Sequence, residues 1–244
     1  MAPRKSSETK ETIKTILYAI LIALGIRTVA YEPFNIPSGS MIPTLLVGDY
    51  LFVSKLSYGY SRYSLPFSLP LIPGRIFFSE PKRGDVVVFK LPSDNKTDYI
   101  KRLVGLPGDT VQLKNSILYI NGKPVKREKV SDFIERVGES NYTRTTRYIE
   151  TLPGGRHHYI LEATENTVYD NTPVYTVPEG HYFAMGDNRD RSRDSRFLDD
   201  VGYIPRQNLV GRAEFLFFSV DGGVWEFWKW ASTLRLERFF EGIE

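Results

Sequence analysis

The run Tyr99-Ile100-Lys101-Arg102-Leu103-Val104-Gly105-Leu106-Pro107-Gly108-Asp109 reads as a β-strand closed by a tight turn. Alternation puts Tyr99, Lys101 and Leu103 on one face and Ile100, Arg102 and Val104 on the other. A lysine sharing a face with Tyr99 and Leu103 is unusual for a solvated position. An edge strand with a snorkelling lysine would carry the same pattern. Working outward, Pro81–Asp85 is a turn into the apolar strand Val86-Val87-Val88-Phe89. Val111-Gln112-Leu113 and Ile117–Ile120 form a hairpin, and Asn121-Gly122 starts a second tight turn. Further strands are expected at Tyr50–Val53, Val174–Val177, His181–Met185 and Leu209–Val220. The fold class is mostly β, an antiparallel-sheet core. Residues 123–171 are polar and rich in Thr, Arg and Glu, and read as an inserted second β subdomain.

The first 12 residues are polar, with Arg4, Lys5 and Lys10 against Glu8 and Glu11, and read as a tail. Residues 13–30 are mostly apolar, flanked by Lys14 and Arg27, whose stems can snorkel to headgroups. As a helix they span about 27 Å, against a hydrocarbon core of about 30 Å. An apolar surface on every side argues against a core helix. Arg27, just before the poor cleavage site Thr28-Val29-Ala30, argues against a cleaved leader. The segment is therefore expected to be one transmembrane anchor, with the basic tail in the cytoplasm and residues 31–244 outside. Tyr58, Tyr60, Tyr63, Phe67, Phe77 and Phe78, broken by Pro66, Pro70 and Pro73, form either a loop with its own small core or a membrane-touching surface. Trp225, Phe227, Trp228 and Trp230 fit a core-capping or an interfacial helix, and the anchor favours the interface.

The 244 residues are 41% hydrophobic and 25% charged, an ordinary folded composition. A net charge of +3 is too mild to argue for nucleic acid. No cysteine is present, which excludes disulfides, a thiol nucleophile and thiolate metal sites. The three histidines, His157, His158 and His181, form no His-Glu-x-x-His pattern, and His157-His158 lacks a third ligand at a recognisable spacing. No metal or other cofactor is expected.

Chemistry then turns to Pro37-Ser38-Gly39-Ser40-Met41-Ile42-Pro43-Thr44, a nearly uncharged stretch whose prolines keep it out of a helix. Ser40 is the candidate nucleophile. A serine hydroxyl needs something to take its proton, and without a suitable histidine the remaining base is lysine. At its ordinary pKa of about 10.4 a lysine is protonated, but burial penalises the charged form. Lys101, beside Ile100 and Leu103, is the best candidate. Ser192 could orient its amine. The Ser40 N–H and the Ser38 hydroxyl could form an oxyanion hole. Ser-x-x-Lys also occurs at Ser7–Lys10, in the tail, and at Ser79–Lys82, in a proline-bearing turn. A serine and a lysine 61 positions apart do not select one another by spacing. The dense charge run Gly186–Arg196 follows an apolar strand, and its alternating signs suggest an internally ion-paired loop.

Four ordered blocks resemble bacterial type I signal peptidases: Pro37–Met41, Lys82–Phe89, Asp98–Asp109 and Gly186–Arg196. The resemblance implies a membrane-anchored serine endopeptidase of the bacterial cytoplasmic membrane. It would remove signal peptides from secretory preproteins after small residues (Ala-x-Ala), close to the export translocon. It implies Ser40 as nucleophile, Lys101 as general base, Ser38 in the oxyanion hole and Ser192 bonded to Lys101. Arg102, Asp187, Asp194 and Arg196 would be structural ion-pair partners. Phe34, Ile36, Met41, Leu45, Val88, Tyr99 and Ile100 would line the substrate pockets. A related Ser–Lys peptidase serving one pilus or conjugation substrate would fit the same residues, and a non-catalytic module fits them poorly.

Overall fold

The computed structural model describes residues 5–65, 68–137, 141–164 and 167–243. Arg4, Pro66 and Phe67, which figure in the sequence reading, lie outside the described residues. The N-terminal helix covers Lys5–Val29. It starts well inside the segment expected to be a tail, because Glu8, Thr9, Lys10 and Glu11 are no obstacle to helix propagation from the apolar run. Its apolar part, Thr9–Val29, is 21 residues long with no buried share, so it reaches about 32 Å.

The helix meets the rest of the chain through fixed contacts. Tyr60 donates its hydroxyl to the Val29 carbonyl at 2.7 Å, and the Lys55 N–H bonds the Ala30 carbonyl at 2.9 Å. Glu32 is paired both with Arg27 at 2.7 Å and with the buried Lys55 at 2.9 Å. Arg27, at the end of the helix, is paired with this carboxylate while most of its side chain stays exposed.

The main sheet has seven antiparallel strands in the order Tyr31–Asn35, Asp49–Ser54, Leu209–Ser219, Val86–Lys90, Asp98–Gly105, His181–Met185 and Ile204–Pro205. Val86-Val87-Val88 lies in register with Arg102-Lys101-Ile100. The apolar alternation sorts side chains as the period of two requires. Val88 joins Met41, Leu45, Leu51 and Val53 in one cluster, with Ile100 packed against it. Val87, Phe89 and Leu103 join Tyr182 in another, with Tyr99 against it. The structure places the strand Asp98–Gly105 between Val86–Lys90 and His181–Met185, with the latter pairing as far as Arg102, and Lys101 is itself buried, so the snorkelling reading does not apply.

A second sheet pairs Thr110–Lys114, Ile117–Ile120, Lys123–Pro124 and Tyr175–Thr176. Its hairpin turns at Asn115-Ser116, both with positive φ, the conformation a two-residue turn matching strand twist requires. Lys126–Lys129, Phe133–Val137 and His157–Glu162 form a separate antiparallel sheet around Asn141–Thr151. Its strand His157–Glu162 turns toward the main sheet, and the Leu161 N–H bonds the Asp187 carbonyl at 2.9 Å.

Tyr58 and Tyr63 are buried, while Phe77 is 82% exposed. Trp225 is 85% exposed, Phe227 and Trp228 also face outward, and Trp230 packs on Phe218 at 5.3 Å between ring centres.

Candidate active site

Ser40 sits in a single 3-10 turn, Gly39–Met41. Met41, fully buried, pins the turn to the apolar cluster below. Two further tethers come from Asn188: its N–H bonds the Ser40 carbonyl at 3.1 Å and its side-chain amide bonds the Gly39 carbonyl at 3.0 Å. A third comes from Thr44, whose hydroxyl donates to Asp187 at 2.6 Å. At Gly186 a Cβ would stand 2.2 Å from Ser192 Oγ and 2.5 Å from the Ser40 carbonyl oxygen. Only a glycine allows these segments to meet so closely.

The structure brings Lys101 Nζ to 2.7 Å from Ser40 Oγ, with both residues buried. The same amine donates to the Ile100 carbonyl at 2.9 Å and lies 5.3 Å from the centre of the Tyr99 ring. Burial lowers the Lys101 pKa to about 8, against the opposing pull of the Asp194 and Asp187 carboxylates. About a tenth of the amine is therefore neutral at pH 7, far more than for an exposed lysine. Ser38 Oγ stands 3.4 Å from Ser40 Oγ.

Beside this pair opens a cleft of about 510 Å³, lined by Ser38, Ser40 and Lys101. Phe34, Ile36, Val88, Tyr99 and Ile100 line it as the sequence reading expects. Met41 and Leu45 do not; both are fully buried in the cluster beneath. Ser192 is buried near Gly186 beside the Asp194 carboxylate, and its hydroxyl makes no hydrogen bond to the Lys101 amine in this geometry. The Ile100 carbonyl does that instead.

The charges around the site form a buried lattice. Arg102 meets Asp187 in a fork of 2.9 and 2.8 Å and also donates to the Gly84 carbonyl. Asp194 and Arg196 pair at 2.9 and 3.0 Å, and Asp194 also accepts the Gly186 N–H. Arg189 forks onto Glu150 at 3.1 and 2.5 Å. Burial would raise the Asp187, Asp194 and Glu150 pKa values, but their arginines outweigh it and hold all three below the ordinary range. His158 is buried 3.5 Å from Glu150 and 3.9 Å from Asp187. Burial, reinforced by Arg102, lowers its pKa to about 4, so it is neutral at physiological pH. The loop expected to pair within itself does so only at Asp194–Arg196; Asp187 and Arg189 reach out to Arg102 and Glu150.

A model of the family described as "Signal peptidase, peptidase S26" matches residues 9–218. The chain belongs to the signal peptidase family. As a member it is a hydrolase, a peptidase. It is 41% identical to the signal peptidase I of Rickettsia typhi, over 98% of this chain and 97% of that protein. To the signal peptidase I of Rickettsia conorii it is 42% identical, over 97% and 96%. A crystal structure of a signal peptidase I from Enterococcus faecalis V583 is 29% identical, with a TM-score of 0.32, covering 55% of this chain and 97% of that one.

Within this family frame, the sequence reading missed Asn188, Thr44, Glu150 and His158. Asn188 lies inside a quoted block, where its two bonds to the serine turn leave no local mark. Glu150 sits in a polar strand with no pattern to set it apart. One carboxylate group, Glu162, Asp170 and Asp190, gathers oxygens within 4.8 Å among the described residues. Glu162 Oε2 is paired with Arg127 at 3.1 Å and Asp190 Oδ2 accepts the Ala163 and Thr164 N–H groups, while Glu162 Oε1 has no hydrogen-bond partner among the described residues.

Proposed function

We propose that this chain is a membrane-anchored serine endopeptidase that removes N-terminal signal peptides from secreted preproteins, with Ser40 as nucleophile and Lys101 as general base. The observation that carries this is the 2.7 Å approach of the Lys101 amine to Ser40 Oγ in a buried setting beside an open cleft. The neutral amine accepts the Ser40 hydroxyl proton as Oγ attacks the scissile carbonyl. The ammonium then returns that proton to the leaving amine, and the acyl chain stays esterified to Ser40. Water, deprotonated by the same amine, releases it. The Ser40 N–H and the Ser38 hydroxyl stabilise the oxyanion.

The apolar wall of Phe34, Ile36, Val88, Tyr99 and Ile100 has two effects. It accepts small apolar side chains such as those of Ala-x-Ala, and it disfavours the charged form of Lys101. The ion-pair lattice of Arg102, Asp187, Asp194 and Arg196 keeps the serine turn and the lysine strand in register. Ser192 gives way to Ile100 as the group orienting the amine. The helix Lys5–Val29 would cross the bacterial cytoplasmic membrane once, N-terminus inside, with the catalytic domain outside and near the translocon. The exposed Trp225, Phe227 and Trp228 would rest at headgroup depth. A preprotein whose signal peptide is still in the bilayer then presents its junction at the membrane surface.

The test is cleavage, in detergent, of a preprotein with Ala-x-Ala before its junction. Ser40→Ala and Lys101→Met are expected to abolish cleavage while the fold persists, since methionine suits the buried site of Lys101 without its charge. Cleavage by Ser40→Ala at the original rate would remove the nucleophile from the scheme. Turnover by a folded Lys101→Met variant would remove the base.

A further inference from the structure

The cleft beside Ser40 also carries a different chemistry. Arg191 and Arg193 line it together with the apolar residues. They flank Ser192, on the segment that Asn188 ties to the serine turn. Both are exposed, at 55% and 66% of their side chains. Arg191 touches Glu135 only at 3.5 Å, and Arg193 is paired with the partly buried Asp200. A guanidinium this exposed gains little from one such contact and is open to another carboxylate. The acidic residue on the cleft, Asp98, is already held by Lys90 at 2.8 Å. The balance of charge facing the cleft is therefore positive.

We propose that Arg191 and Arg193 are specificity-determining residues that favour an acidic side chain in the segment leaving the enzyme, within the first few residues after the scissile bond. This rests on the peptidase reading above. There the acyl half of the substrate occupies the apolar wall, so the leaving half crosses the arginines. A guanidinium offers paired N–H donors that match a carboxylate. A lysine at the same place in the substrate would meet two like charges. The arginines share the cleft with Ser40, where a peptide has to pass, which favours a peptide over a lipid headgroup as their partner.

The experiment compares two preproteins with the same Ala-x-Ala junction, differing only in Asp or Lys as the second residue after it, in neutral detergent micelles. The expected kcat/KM ratio is about tenfold in favour of Asp at low ionic strength, shrinking in high salt as the charges are screened. In the Arg191→Gln/Arg193→Gln variant the ratio should approach one, and in Arg191→Lys/Arg193→Lys it should largely return. A ratio within about twofold of one for the unaltered chain, or an equal preference in the glutamine variant, overturns the assignment. So does a defect of the glutamine variant seen only with anionic-lipid vesicles, which would give the arginines to lipid. Failure of the peptidase reading looks different: neither preprotein is cut, and both proposals fall together.

Discussion

Replacing Asp187 with alanine leaves the guanidinium of Arg102 buried without its carboxylate. Arg102 is fully buried, and Asp187 supplies both acceptors of its fork as well as the acceptor for Thr44. Breaking a buried pair from one side costs about 3–5 kcal/mol, because the remaining charge stays desolvated. Removing both charges avoids that penalty. Arg102→Met/Asp187→Leu is therefore expected to be less destabilised than Asp187→Ala alone, a strongly non-additive cycle. Guanidinium unfolding in detergent micelles, followed by tryptophan fluorescence, measures all members of the cycle. A loss below about 1 kcal/mol for Asp187→Ala, or additive costs in the cycle, would refute the idea that this pair is buried and mutually dependent. The sign with pH follows from the depressed carboxyl. Its contribution is present above the ordinary carboxylate range and is lost as pH falls through the lowered folded value.

Two more outcomes follow from the same geometry. Gly186→Ala should drive a methyl group into Ser192 and the Ser40 carbonyl, costing about 1–3 kcal/mol and lowering kcat about 100-fold as the turn shifts; normal kinetics would contradict the close packing. His158, with a folded pKa near 4, should contribute stability above about pH 6.5 that is lost as pH falls toward 4. His158→Leu should flatten the pH dependence of Tm in that window, and an unchanged slope would show that the imidazole is not the group responsible.

Strand alternation made the sheet legible, and the odd face of Lys101 beside Tyr99 and Leu103 singled out that lysine before any contact was visible. The serine turn was legible from its prolines and its position soon after an apolar segment. What pairing alone creates was not legible. Met41 and Leu45 are apolar residues adjoining the nucleophile, and such residues suit a pocket wall or a core equally; the fold puts them in the core. The charge run Gly186–Arg196 suggested ion pairs, but its partners Glu150 and Arg102 lie far away in sequence, and only the tertiary fold selects them. Asn188 and the Ile100 carbonyl act through bonds to or from backbone atoms, which side-chain patterns do not encode. The helix began earlier than hydropathy suggested because hydropathy marks where lipid would be, while hydrogen bonding continues through polar residues that tolerate a helix.

The central claim is that Lys101 works as a neutral base on Ser40, and the pH dependence of kcat/KM tests it most directly. The rate should rise with pH as the buried ammonium loses its proton, with an apparent pKa of about 8. A profile flat between about pH 6 and 10, or one rising only near the ordinary lysine value of about 10.4, would contradict it.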